Sequence, residues 1–246
     1  MRPAPNLAAV ILAAGKGNRM STEHPKVLHE FNGKAMIHWV VDLAQELGAD
    51  PVVVVVGYQH ERVEAALEGR GVAFALQHPQ SGTAHAVEQT RRHLIDFQGD
   101  VLVLSGDVPG LSARTLKSLI KRHRDTRSKG TMLTADVDQP KGYGRVIKDD
   151  SGHLVRVVEE KDATEHERAI CEINSGIYVF DAHALFATLP LIQNNNKQNE
   201  YYLPDSLYIL KEQNQVVAVE KAEHFREIQG VNTKEELRRI HEDVPH

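Results

Sequence analysis

The run Ala8-Ala-Val-Ile-Leu-Ala-Ala14 passes directly into Gly15-Lys-Gly-Asn-Arg-Met20, and Pro25-Lys-Val-Leu28 follows shortly after. A continuous apolar segment of this length is the pattern of a strand buried on both faces. Gly15 and Gly17 let backbone N–H groups approach a polyphosphate, while Arg19, as a planar fork, and Lys26, as a point charge, can neutralise it. The stretch therefore predicts a strand opening into a phosphate-cradling loop. It is not the dinucleotide fingerprint, because Met20 stands where a third glycine belongs and Asp42, the nearest acid by spacing, falls inside a helical pattern. Nor is it a P-loop, since no Gly-Lys pair is followed by a hydroxyl residue.

Working outward, strand-like runs at Val52 to Val56, Ala73 to Leu76 and Val101 to Leu104 alternate with helical patterns at Ala35 to Leu47, Glu61 to Leu67, Thr83 to Leu94 and Ala113 to Arg124. That alternation predicts βαβ units, an α/β fold and a Rossmann-like, mainly parallel sheet flanked by helices. Ser112 is placed to cap the fourth helix. Ligands of such sheets bind beyond the carboxyl ends of the strands, where Gly15, Gln77 and Asp107 all fall. After about residue 130 the pattern shifts to shorter strands: Met132 to Ala135, Arg145 to Lys148, Leu154 to Val158, Ile173 to Phe180 and Val216 to Val219. These predict mixed sheet with an antiparallel flap, followed by a polar loop at Asn194 to Asn199 and a last helix at Lys234 to His241. One domain is expected over 1–246, with a nucleotide-binding half over about 1–129, a small sugar-binding lobe over about 130–232 and the terminal helix over 233–246.

The 246 residues are 41% hydrophobic, enough for one sizeable core. A net charge of −5 argues against a general binder of nucleic acid or anionic membrane, so bound phosphate must be met by local cations. The single Cys171 excludes an intramolecular disulfide and a multi-cysteine zinc site, and reads as a small core or strand residue. The fourteen histidines contain no His-Glu-x-x-His pair. His60, His123 and His241 read as solvated, whereas His85 lies inside a motif segment. Without a signal-like or membrane-spanning run, a soluble cytoplasmic protein is expected.

Leu12 to Met20 followed by Pro25 to Leu28 resembles the signature of the sugar-phosphate nucleotidyltransferases. Five further segments, in the same order along the chain, resemble the uridyltransferase domains of bacterial N-acetylglucosamine-1-phosphate uridyltransferases. They are Gln77-His-Pro-Gln-Ser-Gly-Thr-Ala-His-Ala86, Ser105-Gly-Asp-Val-Pro109, Gly142-Tyr-Gly-Arg-Val-Ile147, Val158-Glu-Glu-Lys-Asp-Ala163 with Glu172-Ile-Asn-Ser-Gly176, and Gly230-Val-Asn232. The resemblance implies attack of a sugar-1-phosphate on the α-phosphorus of UTP with release of pyrophosphate. It also implies nucleotide contacts from Leu12, Ala13, Ala14, Gly15, Gly17, Arg19, Lys26, Gln77, Gln80, Gly82 and Thr83. Sugar contacts are implied for Gly142, Glu159, Asn174, Glu200 and Tyr201, and Mg2+ ligands for Asp107 and Asn232. Thr83 could equally cap the following helix, and Tyr201 and Tyr202 could equally be packing residues. The β-helical acetyltransferase domain of bifunctional relatives has no counterpart in these residues, so acetylation is not expected and the assembly expectation is a monomer or weak homodimer.

The chemistry is consistent with these residue types. A phosphate monoester has a second pKa of about 6, so the attacking oxygen is already largely anionic and needs no general base. What remains is to neutralise and orient two polyanions, with Arg19, Lys26 and Asp107 as the catalytic candidates. One carboxylate and one amide, completed by water and phosphate oxygens, suit Mg2+. Primary amides at Gln77 and Gln80 can pair with uracil but can flip to suit cytosine, so uridine rests on the resemblance. Asn18, Ser105, Glu160 and Asn199 depart from common family residues, and Ser105 and Asn199 open the choice of acceptor. Glucose-1-phosphate, an alcohol phosphate or a non-catalytic nucleotide-sugar sensor are the competing readings.

Overall fold

The computed structural model describes residues 7–16 and 24–231. Gly17, Asn18, Arg19, Asn232 and the expected helix at Lys234 to His241, with His241, lie outside them. The first half runs β1 (Leu7–Ala13), a short hairpin of β2 (Glu30–Phe31) and β3 (Lys34–Ala35), α1 (Met36–Glu46), β4 (Val52–Val56), α2 (His60–Ala66), β5 (Ala73–Leu76), α3 (Thr83–Glu88), α4 (Arg91–Leu94), β6 (Asp100–Ser105) and α5 (Ala113–Asp125). The second half runs β7 (Gly130–Asp136), β8 (Arg145–Lys148), β9 (Leu154–Val158), α6 (Glu165–Arg168), β10 (Glu172–Asp181), α7 (Ala182–Thr188), α8 (Asp205–Glu212), β11 (Val217–Lys221) and α9 (Phe225–Ile228).

Nine of the strands form one mixed sheet whose main path is β11-β7-β10-β6-β1-β4-β5. The strand β1 sits inside it, parallel to β4 on one side and β6 on the other, and β5 extends β4 in parallel. Between β6 and β7, β10 is antiparallel to both, and β11 adds in parallel to β7. From the start of β10 the antiparallel pair β8 and β9 projects as the expected flap. Side-chain alternation divides the sheet between two cores. Ala9, Ile11, Val52, Val54, Leu102 and Leu104 face α1, α2 and α5, whereas Ala8, Val10, Val53, Val55, Val101 and Val103 face α3, α7 and α8. Burial on both faces is why these strands read as unbroken apolar runs.

Local signals set most boundaries. The Ser112 hydroxyl accepts from Thr115 N at 3.2 Å and caps α5 as expected. Asp181 caps α7 by accepting from Ala184 N, and Thr164 with Glu167 closes a capping box on α6. The expected helix Thr83 to Leu94 is instead two pieces, α3 and α4. At the break the Thr90 hydroxyl donates to Val87 O, a local bond that competes with the helical ladder. Thr83 does not cap α3; its hydroxyl accepts from Leu203 N, and Gly82 occupies the cap position.

Two side chains differ from their sequence reading. His123 is buried, with Nδ1 2.8 Å from Thr131 Oγ1 and Nε2 3.5 Å from Asp100, because α5 turns that position onto β6 and β7. Cys171 is exposed, since the chain between α6 and β10 runs over the surface. No described helix is long and apolar enough to cross a membrane. Leu102 is fully buried in the middle of β6. Leu102→Ala is expected to lower unfolding free energy by about 2–5 kcal/mol in urea titration.

Candidate active site

At the carboxyl ends of β1, β4 and β6 lies a cleft of about 450 Å3, lined by Leu12, Ala13, Ala14, Gly15, Lys26, Gln77, Gln80, Gly82, Thr83, Ser105, Asp107 and Glu200 among others. Every described nucleotide-side candidate therefore meets in one place. The strand ends approach so closely that backbone forms much of the floor. Tyr58 N donates to Ala14 O at 3.1 Å, and Gly106 N donates to Leu12 O at 2.9 Å. A Cβ on Gly57 would stand 2.8 Å from Ala14 O and 2.7 Å from Gln80 Nε2, so only glycine fits there. A larger cleft of about 900 Å3 lies at the opposite ends of the strands, beside Leu7, Asp50 and Arg124, away from all of these groups.

The loop between β5 and α3 is held from within and from across the fold. Buried Gln77 donates from Nε2 to Gly82 O at 2.9 Å and lies 3.2 Å from His85 Nδ1. Its amide is thus engaged in shaping the loop. Tyr201 N donates to Ser81 O at 2.8 Å, and Ala84 N donates to Tyr201 O at 2.9 Å. Gly82 has φ +105°, and a Cβ there would collide with the Tyr201 backbone. Tyr201 therefore serves the loop through its main chain, while its ring packs on the core with Ala84 and Leu203.

Lys26 Nζ and the Asp107 carboxylate form an ion pair at the cleft, with side chains 12% and 24% exposed. Pro25 precedes the 3-10 turn Lys26–Leu28 that carries the lysine. Val231 N donates to Asp107 O at 3.0 Å, which ties the chain immediately before Asn232 to the same aspartate. Among the described residues no group of three or more His, Cys, Asp or Glu could hold a metal. The donor that is present, one carboxylate at a cleft edge, is a hard oxygen ligand of the kind Mg2+ takes with water and phosphate oxygens. It does not fit zinc, which needs several nitrogen or sulfur ligands.

The sugar-side candidates Gly142, Glu159 and Asn174 gather around the turn before β8. Asn174 N donates to Gly144 O at 2.9 Å, and a Cβ on Gly144 would meet Glu159 Oε1 at 2.9 Å. The Asn174 side-chain oxygen accepts from Tyr178 Oη at 2.9 Å and Gly176 N at 3.0 Å, across a register shift in the β10 to β7 pairing. Glu159 borders a second cleft of about 550 Å3 with Asp162, Tyr202 and Asp205. Glu200 lines the cleft of Lys26 and Asp107 instead. Burial, then the charges of Asp162, Asp205 and Glu200, push the Glu159 carboxyl up to about 7 against the pull of Arg145. Burial and Asp162 raise Asp205 to about 6. Tyr202 Oη donates to Asp162 and is pushed up to about 12, chiefly by burial.

The family model described as a MobA-like NTP transferase domain matches residues 9–243. The chain belongs to this family. It is 47% identical over 229 residues, 93% of its length, to the protein named bifunctional protein GlmU of Bacillus cereus strain AH187, and equally to those of Bacillus thuringiensis strain Al Hakam and Bacillus anthracis strain A0248. The chain spans about half the length of these relatives. A Bacillus anthracis crystal structure, described provisionally as a glucose-1-phosphate thymidylyltransferase in complex with sucrose, superposes with a TM-score of 0.74. It is 17% identical, covering 98% of this chain and 97% of that one, a likeness of fold. The nucleotidyltransferase resemblance of the sequence motifs and the Rossmann-like sheet are thereby established for this member of the family.

Sequence reasoning did not find Gly57, although a glycine directly after the valine run of β4 was its visible signal. It also missed the pairing of Lys26 with Asp107, which joins residues far apart in the chain, and the buried Arg145 with its partner Glu160. Arg145 NH2 is 2.7 Å from Glu160 Oε2.

Gly82→Ala is expected to destabilise the fold by about 1–3 kcal/mol and to weaken nucleotide binding, read by thermal unfolding with and without UTP. A pH dependence follows from Glu159 and Asp205. Both carboxyls titrate above their ordinary values of 4.5 and 3.8, so between these values and about 7 the folded state holds more protons than the unfolded. Their stabilising contribution is fully present at acid pH and is lost as pH rises through 6 to 7. Asp205→Asn should flatten part of that decline in a series of unfolding curves; an unchanged slope would remove Asp205 from it.

Proposed function

We propose that the protein is a Mg2+-dependent uridylyltransferase that converts UTP and N-acetylglucosamine-1-phosphate to UDP-N-acetylglucosamine and pyrophosphate. The observation that carries this reading is the convergence of the Gly15 strand end, the Lys26 and Asp107 pair and the Gln77 to Thr83 loop on one cleft. The 47% identity across nearly the whole chain to proteins named GlmU supports the choice of nucleotide and sugar. In this reading the strand-end backbone and Lys26 receive the triphosphate, joined by Gly17 and Arg19, while Gln80 and the loop ordered by Gln77 meet the base. Gly142, Glu159, Asn174 and Glu200 form the sugar side. The Tyr201 main chain keeps the two sides in register.

The acceptor phosphate brings its own anionic nucleophile, so the protein's share of the rate comes from holding the two phosphates in line and from offsetting their charge. Asp107, with Asn232, would hold Mg2+, which supplies charge neutralisation at the phosphates. Lys26 adds a fixed cation at the same edge. Ser105, a small residue in the cleft wall before Asp107, reshapes the space there and keeps glucose-1-phosphate as the competing acceptor. The overall fold likeness adds no preference between acceptors.

Purified protein should release pyrophosphate from UTP with N-acetylglucosamine-1-phosphate, and chelation of divalent metal should stop it. Asp107→Ala is expected to abolish release while leaving the thermal midpoint little changed. Faster turnover with glucose-1-phosphate would move the acceptor to that sugar. Tight binding of nucleotide sugar without turnover for any pair would make the protein a sensor.

A further inference from the structure

Two neighbouring glutamates at the end of β9 have opposite circumstances around one buried cation. Arg145, on β8, is 2% exposed in its side chain and is committed on every side. It donates from NH1 to Tyr143 O, from Nε and NH2 to Arg168 O at 3.3 Å, and it pairs with Glu160 at 2.7 Å. Glu160 also accepts from Gly142 N at 3.2 Å and lies 3.9 Å from Arg168 Nε. Despite some desolvation, the Arg145 hydrogen bond, the Gly142 amide and the charges of both arginines hold the Glu160 carboxyl below the usual range. Glu160 is thus a fixed anion that clamps the turn bearing Gly142 and Gly144.

Glu159 has no such partner. No described residue donates a hydrogen bond to its carboxyl, which lies against Gly144, where a Cβ would stand 2.9 Å from Glu159 Oε1. The groups that face it come from every surrounding element: Arg145 on β8, Asp162 after β9, Glu200 and Tyr202 before α8, Asp205 on α8 and Tyr178 on β10. Three of these are acids, and the one cation is already paired. A half-buried carboxyl that shares a cleft with Asp162 and Asp205 holds its proton to higher pH than an ordinary glutamate, because charging it would add another anion to an acidic pocket.

We propose that Glu160 is a positioning residue that holds Arg145 away from Glu159, so that Glu159 meets the acceptor sugar as a neutral carboxylic acid donating its O–H. This deepens, and rests on, the sugar-side role given to Glu159 above. The neutral form suits the proposed acceptor. A sugar-1-phosphate arrives with close to two negative charges at neutral pH, and a carboxylate beside it would add repulsion. A carboxylic acid instead offers one donor and one acceptor to uncharged hydroxyl or carbonyl oxygens of the ring. A burial-raised carboxyl near 7, as Glu159 is, matches this assignment.

The direct test is a carboxyl 13C NMR titration of Glu159 in the full chain without substrate. The expected midpoint in the unsubstituted protein is near neutral. In Glu160→Gln it should fall toward the ordinary carboxylate range, because Arg145 then lacks its anion; in Glu160→Asp, which keeps the charge, it should stay near the unsubstituted value. In turnover, KM for the acceptor should rise as pH passes the midpoint with kcat far less affected, and in Glu160→Gln that rise should move to lower pH. An ordinary midpoint in the unsubstituted protein overturns the proposal by itself, even if Glu160→Gln does not fold. An unmoved midpoint in a folded Glu160→Gln overturns it equally. Because the titration needs no substrate, absence of turnover would defeat the proposed reaction while leaving the Glu159 result to stand or fall alone.

Discussion

The structure depends on how closely the carboxyl ends of β1, β4 and β6 approach one another. The carbonyls of Leu12, near the end of β1, and of Ala14, just after it, accept amides from Gly106 and Tyr58 respectively. At residues 57 and 106 there is no room for a side chain; a Cβ at 106 would stand 3.1 Å from Leu12 O and 2.9 Å from Ile37 Cδ1. Widening this junction would separate the loop after β1 from Asp107 and from the Gln77 segment together. The site is therefore only as precise as the packing of three buried strands.

This explains what the sequence disclosed and what it withheld. Val52 to Val56 and Val101 to Leu104 were legible because burial on both faces imposes an unbroken apolar run, and Gly15, Gln77 and Asp107 were legible as cleft residues because each lies just beyond the carboxyl end of a strand run. His123 and Cys171 were misread because exposure is decided by what an element packs against, not by the polarity of its neighbours in the chain. The split of Thr83 to Leu94 turned on one threonine hydroxyl competing with the helix. The pairing of Arg145 with Glu160 and the register shift near Asn174 involve strands that meet only in the folded sheet, so no local pattern announces them.

The two sides of the site also differ in electrostatic character. At the cleft beyond β1 the opposite charges of Lys26 and Asp107 offset each other. On the flap side the acids outnumber the cation, and burial together with their mutual repulsion raises the carboxyls of Glu159 and Asp205. The strand β10 spans both: Asn174 touches the flap turn, and the following residues bring Gly176 beside Ser105, where a Cβ would stand 3.3 Å from the serine hydroxyl. A disturbance in the flap is thus transmitted toward the wall of the nucleotide cleft by backbone rather than by long side chains.

The bond from Val231 to Asp107 has a consequence for biosynthesis. Strand β11 pairs with β7, and Val231 follows it, so both the outer edge of β7 and the anchoring of Asp107 wait for almost the last described residues to leave the ribosome. Until then the nascent chain carries an open strand edge, a template for wrong partners. Such long-range closure makes for slow folding, and it leaves Asp107 without its Val231 anchor until all the residues between them have been made.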